Sequence, residues 1–124
     1  MKKFLLVLAI LVAPVVAHAN YLDVITAKFK DGCTVEKYMG LVEEFRSMMK
    51  EQGYSYTVEI AIPFSSDELG VMHWIGRSPS LGSFGQETDR FNAAVAKGGT
   101  PEAAWMVKSE ACTENLRRTG NLVQ

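Results

Sequence analysis

The alternation of apolar and polar positions changes period several times along this chain, and each change marks an element. Residues 21–30 carry Tyr21, Val24, Ile25, Thr26 and Phe29 and stop at Asp31-Gly32, which reads as a β-strand closed by a turn. Thr34 then caps a helix, its hydroxyl accepting from a free backbone N–H, with Glu36 in the positive first turn. Val35, Tyr38, Met39, Val42, Phe45, Met48 and Met49 recur every three or four residues, so an amphipathic helix should run to Gln52 and stop at Gly53. The period next drops to two. Tyr54, Tyr56, Val58, Ile60 and Ile62 alternate with Ser55, Thr57, Glu59 and Ala61, a strand buried on one side that Pro63 ends. Residues 71–77 read as a third strand, joined to the second by an antiparallel hairpin. Ser78-Pro79-Ser80 opens a second helix through Leu81, Phe84, Thr88, Phe91 and Val95, weakened by Gly82 and Gly85. Gly98-Gly99 breaks the chain, and Thr100-Pro101-Glu102 begins a third helical stretch. Residues 116–123 fit either a continuation of that helix or a last short edge strand, because Gly120-Asn121 interrupts both patterns.

Upstream of these elements, Lys2 and Lys3 precede an apolar run of about 13 residues, shorter than the about 20 that cross a bilayer, and Ala17-His18-Ala19 closes it. This pattern predicts a signal peptide over 1–19, cleaved after Ala19, and one domain over 20–124. The expected location is the periplasm or the medium, with no membrane span after cleavage. Loss of Lys2 and Lys3 lowers the 13 basic residues to 11 against 14 acidic ones, a net charge of −3 that argues against nucleic-acid binding. Lys28 with Lys30 and Arg117 with Arg118 are the local basic pairs, both read as solvated surface. The two cysteines, Cys33 and Cys112, would meet an oxidising compartment and are expected to be bonded to each other. They are too far apart in sequence for a redox Cys-x-x-Cys pair. His73 is the one histidine left after cleavage and has no ligand cluster around it, so neither a metal site nor a cofactor is expected.

Strand, helix, strand, strand, helix, short helix and candidate last strand make the split βαβ order of an α+β domain, with an antiparallel sheet and helices on one face. That order, together with the junction Trp74-Ile75-Gly76-Arg77-Ser78-Pro79, resembles the dimeric α/β barrel superfamily over residues 21 to about 123. These are ferredoxin-like domains whose open sheets pack together across a two-fold axis. The resemblance implies a homodimer. Some members are monooxygenases, some bind or degrade haem, and many small ones have no known activity; no catalytic residue carries over to this chain. The export signal and the disulfide depart from the cytoplasmic enzymes of the group.

Trp74, Trp105, Tyr54, Tyr56, Phe84 and Phe91 are candidates to line a pocket between sheet and helices, with Met39, Met48, Met49 and Met72 as adaptable walls. His73, Trp74, Tyr56, Phe84 and Phe91 form the candidate cleft, although on a strand His73 shares its face with Val71 and Ile75 rather than with Trp74. Glu59 is expected in a cross-strand polar contact or at a dimer interface. Gly82-x-x-Gly85 lacks the lysine of a phosphate loop, and no catalytic triad can be assembled around a single histidine. The reading that results is an exported, non-catalytic dimer that binds a small apolar ligand or another protein. A cofactor-poor monooxygenase or haem-handling enzyme and a structural envelope protein are the alternatives.

Overall fold

The structure is a computed structural model and describes residues 20–65 and 67–124; the signal peptide expected over 1–19 lies outside the described residues. In chain order the elements are β1 (Asn20–Phe29), α1 (Val35–Glu51), β2 (Thr57–Ala61), β3 (Val71–Ser78), α2 (Leu81–Lys97), α3 (Pro101–Cys112) and β4 (Thr113–Val123). The strands form one antiparallel sheet in the order β2-β3-β1-β4, and the helices cover one of its faces. This is the ferredoxin-like arrangement, in which two split βαβ units interleave.

Local chemistry sets the boundaries. The Thr34 hydroxyl accepts from the Lys37 N–H at 3.2 Å and starts α1. Gly53, at φ 72°, ends it, with Tyr54 N–H donating to Met49 C=O and Gly53 N–H to Lys50 C=O, the two bonds of a Schellman cap. The period-two pattern extends the second strand over 54–62, but β2 is shorter. The Ser55 and Tyr56 N–H groups donate instead to the two oxygens of Glu87 on α2, at 2.6 and 3.1 Å. A carboxylate therefore takes the place of a strand partner there. Ser78 belongs to β3, and Ser80 caps α2 by accepting from Ser83 N–H at 3.0 Å. Thr100 caps α3 in the same way, with Pro101 at its first position. The chain after α3 takes the strand alternative, as an edge strand that begins at Thr113 directly after Cys112.

The sheet has two unlike faces. Towards the helices point Asp23, Ile25 and Ala27 of β1 and Met72, Trp74 and Gly76 of β3, with Val58 of β2. The open face carries Leu22, Val24 and Thr26 opposite Arg77, Ile75 and His73. Helix α1 buries Tyr38, Leu41, Val42, Phe45, Met48 and Met49 in the core, and α3 adds Trp105, whose indole N–H donates to Leu41 C=O at 2.7 Å. Helix α2 buries no residue. The Cys33–Cys112 disulfide ties the turn after β1 to the last residue of α3, across 79 positions of sequence. No helix of the described residues is long and apolar enough to cross a membrane.

Candidate functional site

Because α2 does not close on the sheet, a cavity of about 200 Å³ lies between it, α3 and the inner faces of β1, β3 and β4. The floor is built from a single row of paired residues. Asp23 on β1 is opposite Gly76 on β3 and Gly120 on β4. Both glycines are needed for room: a Cβ at Gly76 would overlap the Tyr56 hydroxyl, and a Cβ at Gly120 the Tyr21 hydroxyl. Two phenols thus lie flat over the backbone on either side of one carboxylate.

Asp23 is 1% exposed and fully engaged. Arg118 of β4 donates to it twice, Nε to Oδ1 and Nη2 to Oδ2, each at 2.8 Å, in the bidentate geometry that guanidinium and carboxylate favour. Tyr56 Oη donates to Oδ2 at 2.9 Å and in turn accepts from Trp74 Nε1 at 2.7 Å. Burial, reinforced by the Asp23 charge, pushes the Tyr56 phenol well above its ordinary pKa, so it stays a proton donor. The bond to Asp23 likewise holds the Arg118 guanidinium above its usual value. Arg118 also lies over the Phe84 ring, 5.6 Å from its centre, while its side chain remains half-exposed at the mouth.

Above this polar floor the walls are aromatic and thioether. Phe45 packs edge-on to Trp74 with ring centres 4.8 Å apart and against Trp105 at 4.7 Å, while Phe91 approaches Phe45 and Tyr54. Met49, Met72 and Met106 fill between them. Thr88, Asn92, Ser109 and Asn115 contribute uncharged polar groups, the two asparagines exposed at the rim. Tyr54 Oη donates to the buried Glu102 at 3.0 Å, and Arg90 stacks on the Tyr54 ring at 3.7 Å.

Of the residues expected in a cleft, Trp74, Tyr56, Phe84 and Phe91 lie on this cavity and so do Tyr54, Trp105, Met49 and Met72. His73 does not. It sits on the open face of the sheet, its Nδ1 hydrogen-bonded to the Thr26 hydroxyl at 3.0 Å, because neighbours on a strand point to opposite sides. Glu59 is on that face too, 3.7 Å from Arg77 of β3, both side chains mostly exposed. The basic pair Arg117-Arg118 is split: Arg117 pairs with Thr26 on the open face, whereas Arg118 is no solvated surface residue but the partner of a buried carboxylate. Asp23, Glu87, Asn92, Asn115 and Arg118 were not expected in the site. A signal existed for Asp23, which shares the parity of Ile25 and Ala27, an acid in a core stripe. None existed for Arg118, since a bulge at Leu116 reverses the parity of β4: Ala27 is opposite Asn115 and Thr26 opposite Arg117.

Chemically the site is well suited to holding a molecule. Its carboxylates, Asp23 and Glu87, are taken up by Arg118, Tyr56 and two backbone amides. Both cysteines are in the disulfide, and the described residues contain no group of three His, Cys, Asp or Glu placed to hold a metal ion.

No protein-family model and no curated protein matches the chain. Among solved structures, a protein from Arabidopsis thaliana is similar over 84% of this chain and 93% of its own, with 13% identity and a TM-score of 0.56. A dimeric protein of unknown function with a ferredoxin-like fold, from Bacteroides fragilis, covers 85% of this chain and 95% of its own, with 12% identity and a TM-score of 0.47. At such identity a likeness speaks to fold and not to activity. What this chain shares with the Arabidopsis protein is the α+β architecture of a ferredoxin-like domain.

Proposed function

We propose that this protein is an exported, non-catalytic domain that holds one small, mainly apolar molecule in the cleft beneath α2 and pairs as a homodimer through its open sheet face. The observation that carries the binding reading is the cavity of about 200 Å³ walled by Phe45, Trp74, Phe91 and Trp105 under a helix that buries nothing of its own. An engineered apolar cavity of about 150 Å³ is enough to take up benzene, so a single substituted ring is the matching size. The engaged state of Asp23 and Glu87 favours binding over turnover, because a general acid or base needs an oxygen available to substrate.

Export is supported by the basic, apolar and small-residue pattern of 1–19 and is compatible with the Cys33–Cys112 disulfide, a bond that persists in oxidising compartments. Pairing is supported by Leu22, Val24, Val71 and Ile75, half-buried apolar residues at the centre of a sheet face that no helix covers. Lys28 with Glu114 and Arg77 with Glu59 flank them as exposed ion pairs.

Both tryptophans of the chain, Trp74 and Trp105, line the cavity, so intrinsic fluorescence reports on it directly. Titration with 4-fluorobenzyl alcohol should change that emission saturably. Thr88→Phe, which fills the space from the half-exposed face of α2, should weaken the effect at least about tenfold while the melting temperature holds. An emission that never saturates, or that Thr88→Phe leaves unaltered, refutes binding in this cleft.

A further inference from the structure

Charge bookkeeping inside the cleft selects among ligands of the right size. Three ionised side chains line it: Asp23, Glu87 and Arg118. Asp23 accepts three hydrogen bonds, from Arg118 Nε, Arg118 Nη2 and Tyr56 Oη. Glu87 uses both oxygens on the N–H groups of Ser55 and Tyr56. The single cation among them, Arg118, gives two of its donors to Asp23, and its side chain is half-exposed. The apolar body of the site is neutral, and its rim is amide and hydroxyl, from Asn92, Asn115, Thr88 and Ser109.

We infer that the ligand is an uncharged single-ring molecule bearing a hydroxyl or amide, its ring among Phe45, Trp74 and Phe91 and its polar group at the Asn92 and Asn115 rim. This inference rests on the cleft being a binding site. A cationic ligand would have to share Asp23 with Arg118 and Tyr56, and Glu87 with two backbone amides. Any turn of Glu87 towards it would draw the carboxylate away from the two backbone amides that hold the approach to β2. An anionic ligand would have to share Arg118 with Asp23, and the arginine is half-exposed, so an ion pair there is screened and worth little. An anion would otherwise be buried without a partner among the negative faces of aromatic rings, which is strongly unfavourable. A neutral hydroxyl asks for none of this, since exposed amides can donate to it and accept from it.

The test uses three probes of one shape: 4-fluorobenzyl alcohol, 4-fluorobenzoate and 4-fluorobenzylammonium, followed by ¹⁹F NMR line broadening at neutral pH with the disulfide-bonded protein. The alcohol should bind at least about tenfold more tightly than either ion. Asn92→Leu combined with Asn115→Leu should weaken the alcohol several-fold and leave 4-fluorotoluene unaffected. Equal or tighter binding of either ion overturns the inference while the cleft remains a ligand site. If the alcohol and 4-fluorotoluene bind equally in both proteins, recognition at the rim is absent and the inference fails. If no probe broadens, the binding reading itself falls and the inference with it.

Discussion

At the scale of the residue, the Tyr56–Asp23–Arg118 chain ties the sheet to the cleft, and its pH behaviour follows from the geometry. Tyr38 and Tyr56 both have phenols raised above their ordinary value, each chiefly by burial. In the unfolded chain these phenols would titrate near about 10. Their contribution to stability is therefore complete below that pH and is lost as the pH rises towards the folded values, since above about 10 the folded state binds more protons than the unfolded. Each tyrosine should steepen the decline by about 1.4 kcal/mol per pH unit. Tyr56→Phe should be less stable at neutral pH, having lost the bonds to Asp23 and Trp74, yet decline less steeply in alkali. Urea melts at several alkaline pH values would show it, and parallel slopes for the two proteins would contradict the assignment. None of this was readable from composition, because Asp23 and Arg118 are 95 positions apart and meet only through strand pairing.

At the scale of the element, α3 is the clamp. Trp105 fixes it to α1 through Leu41, Lys108 reaches Glu44 at 2.8 Å, and its last residue is bonded to Cys33. The same helix presents Trp105, Met106 and Ser109 to the cleft. Closing a loop of 79 positions contributes about 4 to 5 kcal/mol in the chain-entropy model. Cys33→Ser with Cys112→Ser should therefore lower stability by several kcal/mol and weaken probe binding alongside it, measured by denaturant melts and fluorescence. A loss below about 1 kcal/mol would mean that packing alone holds α3. The helices and the first three strands were legible because their periods are local: Thr34 caps, Gly53 terminates, and Val58 and Ile60 alternate with Glu59. The length of β2 was not, since it is the distant Glu87 carboxylate that takes the amides of Ser55 and Tyr56.

At the scale of the whole molecule, the proposed homodimer makes its prediction at the open face of the sheet. Ile75 sits at its centre, opposite Val24 and beside the His73–Thr26 contact. Protein recovered from an oxidising compartment should begin at Asn20 by intact mass and sediment as a dimer, and Ile75→Glu should convert it to a monomer without unfolding it. A mass that retains 1–19, or a wild type already monomeric at micromolar concentration, would each count against one half of that expectation. A partner over this face would also cover His73, whose Nδ1 is hydrogen-bonded to the Thr26 hydroxyl.

The sequence by itself determined the order of elements through the third helix, the fold class and the pairing of its two cysteines, because periodicity, caps and turn residues act over a few positions and two cysteines in one domain leave one partner each. It also placed Trp74, Tyr56, Phe84 and Phe91 among candidate lining residues by type. Tertiary structure decided which of them face one space. It excluded His73 from that space, set α2 off the sheet, and used a single extra residue at Leu116 to turn Arg118 inward onto Asp23. The reason is physical: register and bulges follow from the pairing of whole strands, and a one-residue shift sends every later side chain to the opposite face.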